Sequence, residues 1–214
     1  MWYYQNMEAN YKKITQALNW LARKEGGEIN KMKAIKLVWM ADRLHLREYG
    51  RPITNDDYVA MKFGPVGSVT RNITDEAIPY LTDEQFGYSR NYLKKTSDNF
   101  FSSTNDVDVS VFSTSELESL EEIYKKFGEF DQFELRDLTH EYPEWKKFEA
   151  KIEAKLINQA PMSYADFFEN PAESSSLLNG KFKAAEAVFN QSQVEIDIAK
   201  QTFDELQEIQ GLWA

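Results

Sequence analysis

Residues Ile29 to Thr70 constrain the fold more than any other part of this 214-residue chain. Asn30 is a helix-capping residue, and the stretch after it to Tyr49 has helical spacing. Its apolar residues (Met32, Ile35, Leu37, Val38, Trp39, Met40, Leu44, Leu46) cover most of the circumference. A helix that is apolar all round has no solvent face, so it belongs at the centre of a helical domain. Gly50 suits the left-handed position that ends a helix, and Pro52 prevents its continuation.

The flanking segments are read the same way. Met7, Tyr11, Ile14, Leu18 and Leu21 place a first amphipathic helix up to about Lys24, ended by Gly26-Gly27. Thr54 to Asp57 has the form of a capping box, predicting a short helix to about Met61. Gly64-Pro65-Val66-Gly67 reads as a turn, with Pro65 opening another short helix through Thr74. Between residues 88 and 112 the pattern changes. Tyr88–Lys95, Asn99–Ser103 and the alternating Val107, Val109 and Val111 predict strands, with Asn105-Asp106 as a turn. Helices resume with the capping box Ser113 to Glu116 and the stripe Leu117, Leu120, Tyr124, Phe127, closed by Gly128. Asp131 with Glu134 caps the next helix, with Phe133 and Leu138 turned inward. Pro143 opens a further one, with Trp145, Phe148, Ile152 and Leu156 inside. The fold class is mainly α: a helical domain with a small inserted antiparallel β-sheet or hairpin around residues 88–112, plus a C-terminal amphipathic helix.

Asn170 to Ser176 reads as a linker, dividing a domain at 1–170 from a C-terminal element at 171–214. In that element Phe182, Phe189, Ile196 and Phe203 recur every seven residues, with Ala185, Ser192, Ala199 and Leu206 three residues after each. Such a seam suits one helix docking along another. Acids crowd its second half, and the tip Leu212-Trp213 is apolar. The seam serves one of two ends: covering the domain's own core, or binding a partner through Phe182, Phe189, Ile196, Phe203, Leu206 and Trp213.

The chemistry of catalysis is missing. His45 and His140 are the sole histidines, neither with a second histidine at ligand spacing, and there is no cysteine. Both read as structural histidines. No phosphate loop, dinucleotide fingerprint or nucleophile elbow occurs. No catalytic, cofactor or metal residue is therefore assigned. Asp42 interrupts an apolar helix and needs a partner once buried. Arg51 and Arg71 are the candidates, for a structural ion pair in preference to a functional acid. The aromatic residues Trp2, Tyr3, Tyr4, Tyr11 and Trp20 suit core or interface packing better than base stacking, because few basic residues interleave them.

Charge is uneven. Residues 1–70 carry 11 basic against 7 acidic residues (+4), and residues 71–214 carry 14 against 28 (−14). That balance speaks against nucleic acid, and it either marks a basic protein partner or is the ordinary surface charge of a soluble acidic protein. With no apolar run long enough for a membrane span and no secretory leader at Met1-Trp2-Tyr3-Tyr4, the expected location is the cytoplasm.

Certain positions carry a family resemblance: Lys36-Leu37, Met40-Ala41-Asp42, His45-Leu46, Tyr49-Gly50-Arg51-Pro52-Ile53, Asp57-Tyr58, Phe63-Gly64-Pro65-Val66, and in the second half Leu138-Thr139-His140 and Trp145. Across roughly residues 7–170 the chain resembles the SocA-like antitoxin family, whose shared unit is the Panacea domain. Where the family usually has a Tyr-Phe-Ala-Asp-like run, this chain has Val38-Trp39-Met40-Ala41-Asp42. Asp42, Tyr49, Gly50, Arg51, Pro52, Gly64, Pro65 and Val66 are taken as the structural motif. The resemblance implies a non-enzymatic antitoxin that binds and neutralises a co-encoded toxin, with no cofactor. A proteolytic adaptor delivering the toxin to a protease, and a phage or mobile-element protein binding host factors, are the alternatives.

Overall fold

The computed structural model of the protein describes residues 9–211. Met7, Trp2, Tyr3, Tyr4, Leu212 and Trp213 lie outside them. The described chain is mainly helical with two small antiparallel sheets.

The helix α1 (Tyr11–Lys24) starts where the Asn10 side chain accepts from Lys13 N–H at 3.1 Å. It ends at Gly26 and Gly27, whose φ of 85° and 110° favour glycine. Strand β1 (Glu28–Asn30) leads into α2 (Lys31–Tyr49), capped by the Asn30 side chain on Lys33 N–H. Every residue of α2 from Lys33 to Arg47 is buried, as an all-round apolar helix requires. The neighbours of α2 include α1 and, later in the chain, α5 (Thr114–Phe127), α6 (Gln132–Thr139) and α11 (Gln193–Gly211).

After α2 the expected capped helix at 54–61 is instead a hairpin. Strand β2 (Tyr58–Met61) pairs with β3 (Gly64–Gly67), Met61 opposite Gly64. Tyr58 and Ala60 point inward while Val59 and Met61 stay half-buried, which is a strand's period of two. Asp56 caps no helix of its own. Its carboxylate reaches ahead to Val69 N–H (2.9 Å), Thr70 N–H (2.8 Å) and the Thr70 hydroxyl (2.6 Å), seeding α3 (Ser68–Asp75) from a distance. Pro65 sits in an edge strand, where a missing N–H costs nothing. Strand β6 (Gln159–Pro161) completes the order β3-β2-β6.

The second sheet has the order β1-β5-β4, from β4 (Leu93–Lys95) and β5 (Phe100–Ser103). Ile29, Phe101 and Leu93 put its apolar face on the core. Two expected strands are replaced. Tyr88–Tyr92 belongs to α4 (Asp83–Tyr92), capped by Thr82 and Gln85, with Tyr88 packed edge-on against Tyr11 at 5.7 Å. Val109–Val111 is a 3-10 turn capped by Asp108, with Val109 exposed. Further 3-10 turns lie at Ile78–Tyr80, Tyr164–Phe168 and Ala187–Phe189.

The capping boxes Ser113–Glu116 and Asp131–Glu134 form as predicted. Phe133, expected inside, is exposed. It lies across the axis from Leu135 and Leu138, and the Arg136 guanidinium sits 5.4 Å from its ring. Pro143 opens α7 (Pro143–Lys146), and α8 (Glu149–Glu153) follows. Lys155 at φ 56° breaks the helical path, so Leu156 projects into solvent, contrary to expectation. Beyond Asn170 the chain forms α9 (Ser176–Asn179), α10 (Lys183–Glu186) and the long α11, rather than one helix along the whole seam. The break before α11 has a local cause. Ser192 N–H and its hydroxyl donate to the Glu195 carboxylate, and the Ser192 hydroxyl accepts from Glu195 N–H.

Candidate protein interface

The residues carrying the family resemblance organise one corner of the molecule from within. Asp42 is fully buried and meets no arginine, contrary to the expected pairing. Ile53 N–H (2.8 Å), Thr54 N–H (2.9 Å), the Thr54 hydroxyl and the Tyr58 hydroxyl (2.8 Å) donate to its carboxylate. Burial pushes Asp42 up to about 6, and these donors oppose that rise. Arg71 instead bridges Asp75 at 3.3 Å, and Arg51 is exposed. Arg51 contributes its carbonyl, which accepts from His45 Nδ1 at 2.7 Å. The other ring nitrogen of His45 then accepts from the Ser115 hydroxyl at 3.0 Å, and the Tyr49 ring lies over the imidazole. His45 is therefore structural. His140 stacks on Trp145 at 3.6 Å, and burial, with Lys36 next in weight, pushes it down to about 4. No group of residues able to hold a metal ion occurs among the described residues.

The loop geometry follows from these bonds. Gly50 adopts φ 67°, and a Cβ there would stand 2.5 Å from the Ala199 carbonyl of α11. Pro52 and Ile53 are buried below. Gly64, at φ 93°, leaves room for the buried Lys36 ammonium, which donates to the Pro65 carbonyl at 2.6 Å. Burial pushes Lys36 well below its ordinary value. Val66 pairs across the hairpin with Val59.

Two arginines of α2 hold the chain's later part. Arg43 pairs with the equally buried Glu144 at 2.7 Å and donates to the carbonyls of Phe167 and Glu169. Arg47 donates to the carbonyls of Phe167, Phe168 and Phe189 and to the side chains of Asn170 and Gln191. Sequence reasoning missed this clasp. The signal was there: Lys36, Arg43 and Arg47, seven and four apart, share one face of a helix with no solvent side.

Where α11 crosses this corner it leaves a groove of two adjoining pockets, about 400 Å³ and about 240 Å³, which share Asn55, Phe203 and Gln207. The larger is walled by Tyr58, Tyr164, Phe167, Met162 and Phe203, with Asp57 in its lining. Asn55 holds φ 52° at the shared edge. The smaller contains the Lys13–Glu116 ion pair.

The seam residues divide between core and groove. Phe182 packs on Phe130, and Phe189 on Phe127 and Tyr142. Phe182, Phe189, Ile196 and Phe203 are 2, 4, 3 and 9% exposed. Phe203, against Tyr164 and Phe168, still lines both pockets, and the half-buried Leu206 lines the smaller. The outward face of α11 carries Val194, Ile198 and Ile209 among Glu195, Asp197, Asp204, Glu205 and Glu208, all exposed. Nearby, Glu48 rises above its ordinary value by burial first and then by Glu122, Glu195 and Glu118. Tyr49, 42% exposed, lies next to these acids.

The profile of the family described as "Antitoxin SocA-like, Panacea domain" matches residues 35–146, just over half of the chain. No curated protein and no solved structure matches the chain significantly. The matched span runs from α2 to α7 and holds the Asp42, His45, Gly50 and Lys36 arrangements described above. The chain belongs to the SocA-like antitoxin family and carries its Panacea domain.

Proposed function

We propose that this protein is the antitoxin of a toxin–antitoxin pair, and that it neutralises a co-encoded, basic toxin by binding it directly and covering its working surface. Membership of the antitoxin family over residues 35–146 carries this reading. The Panacea domain is the scaffold, and the contact surface is the groove together with the outer side of α11. In this scheme Phe182, Phe189, Ile196 and Phe203 hold the C-terminal segment in place. Phe203 and Leu206 also shape the groove, and Trp213, outside the described residues, is a further contact residue. Exposed acids of α11 interleaved with Val194, Ile198 and Ile209 suit a partner that is basic and partly apolar. The action is non-enzymatic, needs no cofactor and takes place in the cytoplasm. No helix among the described residues is long and apolar enough to cross a membrane.

The test is genetic and then physical. The neighbouring reading frame, expressed alone, is expected to arrest growth. Co-expression of this chain is expected to restore growth, and the two products should co-purify with toxin levels undiminished. A neighbour that is harmless alone would overturn the reading.

A further inference from the structure

Among the polar residues of the larger pocket, Asp56, Ser163 and the Tyr58 and Tyr164 hydroxyls are hydrogen-bonded, and three others are idle. The carboxylate of Asp57 has no hydrogen bond or ion pair among the described residues, nor do the side-chain amides of Asn55 and Gln207. This contrasts with Asp56 next to it, whose carboxylate is saturated by α3. Asp57 is exposed in the free protein, where partial desolvation holds its carboxyl above the ordinary value, so a partner that covers it must supply the counter-charge. Apart from Ser163, the rest of the lining is aromatic or apolar: Tyr58, Tyr164 and Phe203 over the fully buried Phe167, with Met162, Pro161, Ala165 and Val59. The lining contains no lysine or arginine.

An apolar cavity with a few convergent polar groups is the usual form of a binding pocket, and about 400 Å³ accommodates a whole side chain. The chemistry selects which one. An aliphatic partner would leave Asp57 desolvated and unpaired, and an acidic one would be repelled. An arginine satisfies all parts at once. Its planar cation packs on aromatic faces, and its fork of N–H donors matches a carboxylate and amide oxygens. We propose that this pocket is the anchor point for an arginine side chain of the protein partner, with Asp57 as its counter-charge. The proposal rests on the antitoxin reading for the partner's identity, but the pocket's selectivity is measurable without the toxin.

The probe is N-acetyl-arginine amide, titrated into the full chain and followed by amide NMR. Saturable shifts are expected at Asp57, Val59, Ser163, Ala165 and Gln207, with millimolar affinity. The uncharged isostere N-acetyl-citrulline amide should produce none. Asp57→Asn should weaken the arginine probe about fivefold or more while leaving the near-UV dichroism unchanged, since its carboxylate supports no other contact. Absence of saturation, equal response to citrulline, or an undiminished response in Asp57→Asn would overturn the proposal. Equal affinity for N-acetyl-lysine amide would overturn its assignment to arginine. With the toxin in hand, rescue by Asp57→Asn at wild-type potency would sink the anchor and leave the antitoxin reading intact, whereas a harmless neighbour does the reverse.

Discussion

Asp42 and Asp57 lie fifteen positions apart and pose opposite problems. Asp42 is buried under four donors, so removing its acceptor capacity orphans groups that water cannot reach. Asp42→Asn is expected to cost about 2–4 kcal/mol in urea denaturation, against less than about 0.5 kcal/mol for Asp57→Asn. Glu186 gives a pH signature. Burial, opposed by its bond from the Tyr142 hydroxyl and by Arg43 and Arg47, leaves it at about 7. A carboxyl whose folded value is raised contributes stability below its unfolded value near 4.5 and loses it as pH rises through about 7. Stability measured from pH 5 to 8 should therefore fall more steeply in the wild type than in Glu186→Gln, by up to about 3 kcal/mol. That an acid inside α2 would need partners was legible, because an apolar helix leaves it nowhere to hydrate. The identity of those partners was not. They are backbone N–H groups and hydroxyls of the next loop, which every sequence has, and charge complementarity pointed to arginines instead.

At the scale of elements, two features hold α11 and the segment before it. Gly50→Ala would strain a left-handed residue and drive a Cβ into the Ala199 carbonyl, at an expected cost of about 2–4 kcal/mol. Arg47→Met would leave the carbonyls of Phe168 and Phe189 short of a donor, costing about 3–5 kcal/mol. In both variants limited proteolysis should cut residues 170–192 before the Panacea core. Elements with local signals were readable: Asn30, Ser113 and Asp131 each cap the helix that starts beside them. The hairpin at 58–67 was not, because Asp56 caps a helix thirteen and fourteen residues ahead, which a box of four cannot express. In the C-terminal stretch the large members of the seven-residue repeat, Phe182, Phe189, Ile196 and Phe203, face inward, but Ser192 is exposed and the backbone is not one continuous helix. Ser192 and Glu195, spaced as a box, marked the start of α11.

Over the whole molecule, the acidic surplus lies beyond residue 70, and α11 displays five of those acids outward. On the proposed function, association with a basic toxin should be steered by this field. Its on-rate, measured by stopped flow, should drop about tenfold or more from low to high salt, with the off-rate changing less. Ile198→Lys should slow neutralisation while leaving stability within about 0.5 kcal/mol, since Ile198 is 61% exposed. The groove itself was only half legible. Phe203 and Leu206 stood out by spacing, but Tyr58, Tyr164 and Asp57 come from two segments a hundred residues apart, and only folding brings them together. The burial of Phe203 has a further consequence for biosynthesis. The core stays uncovered on this side until Phe203 has left the ribosome. A premature stop anywhere ahead of that phenylalanine would release a sticky fragment fit for degradation.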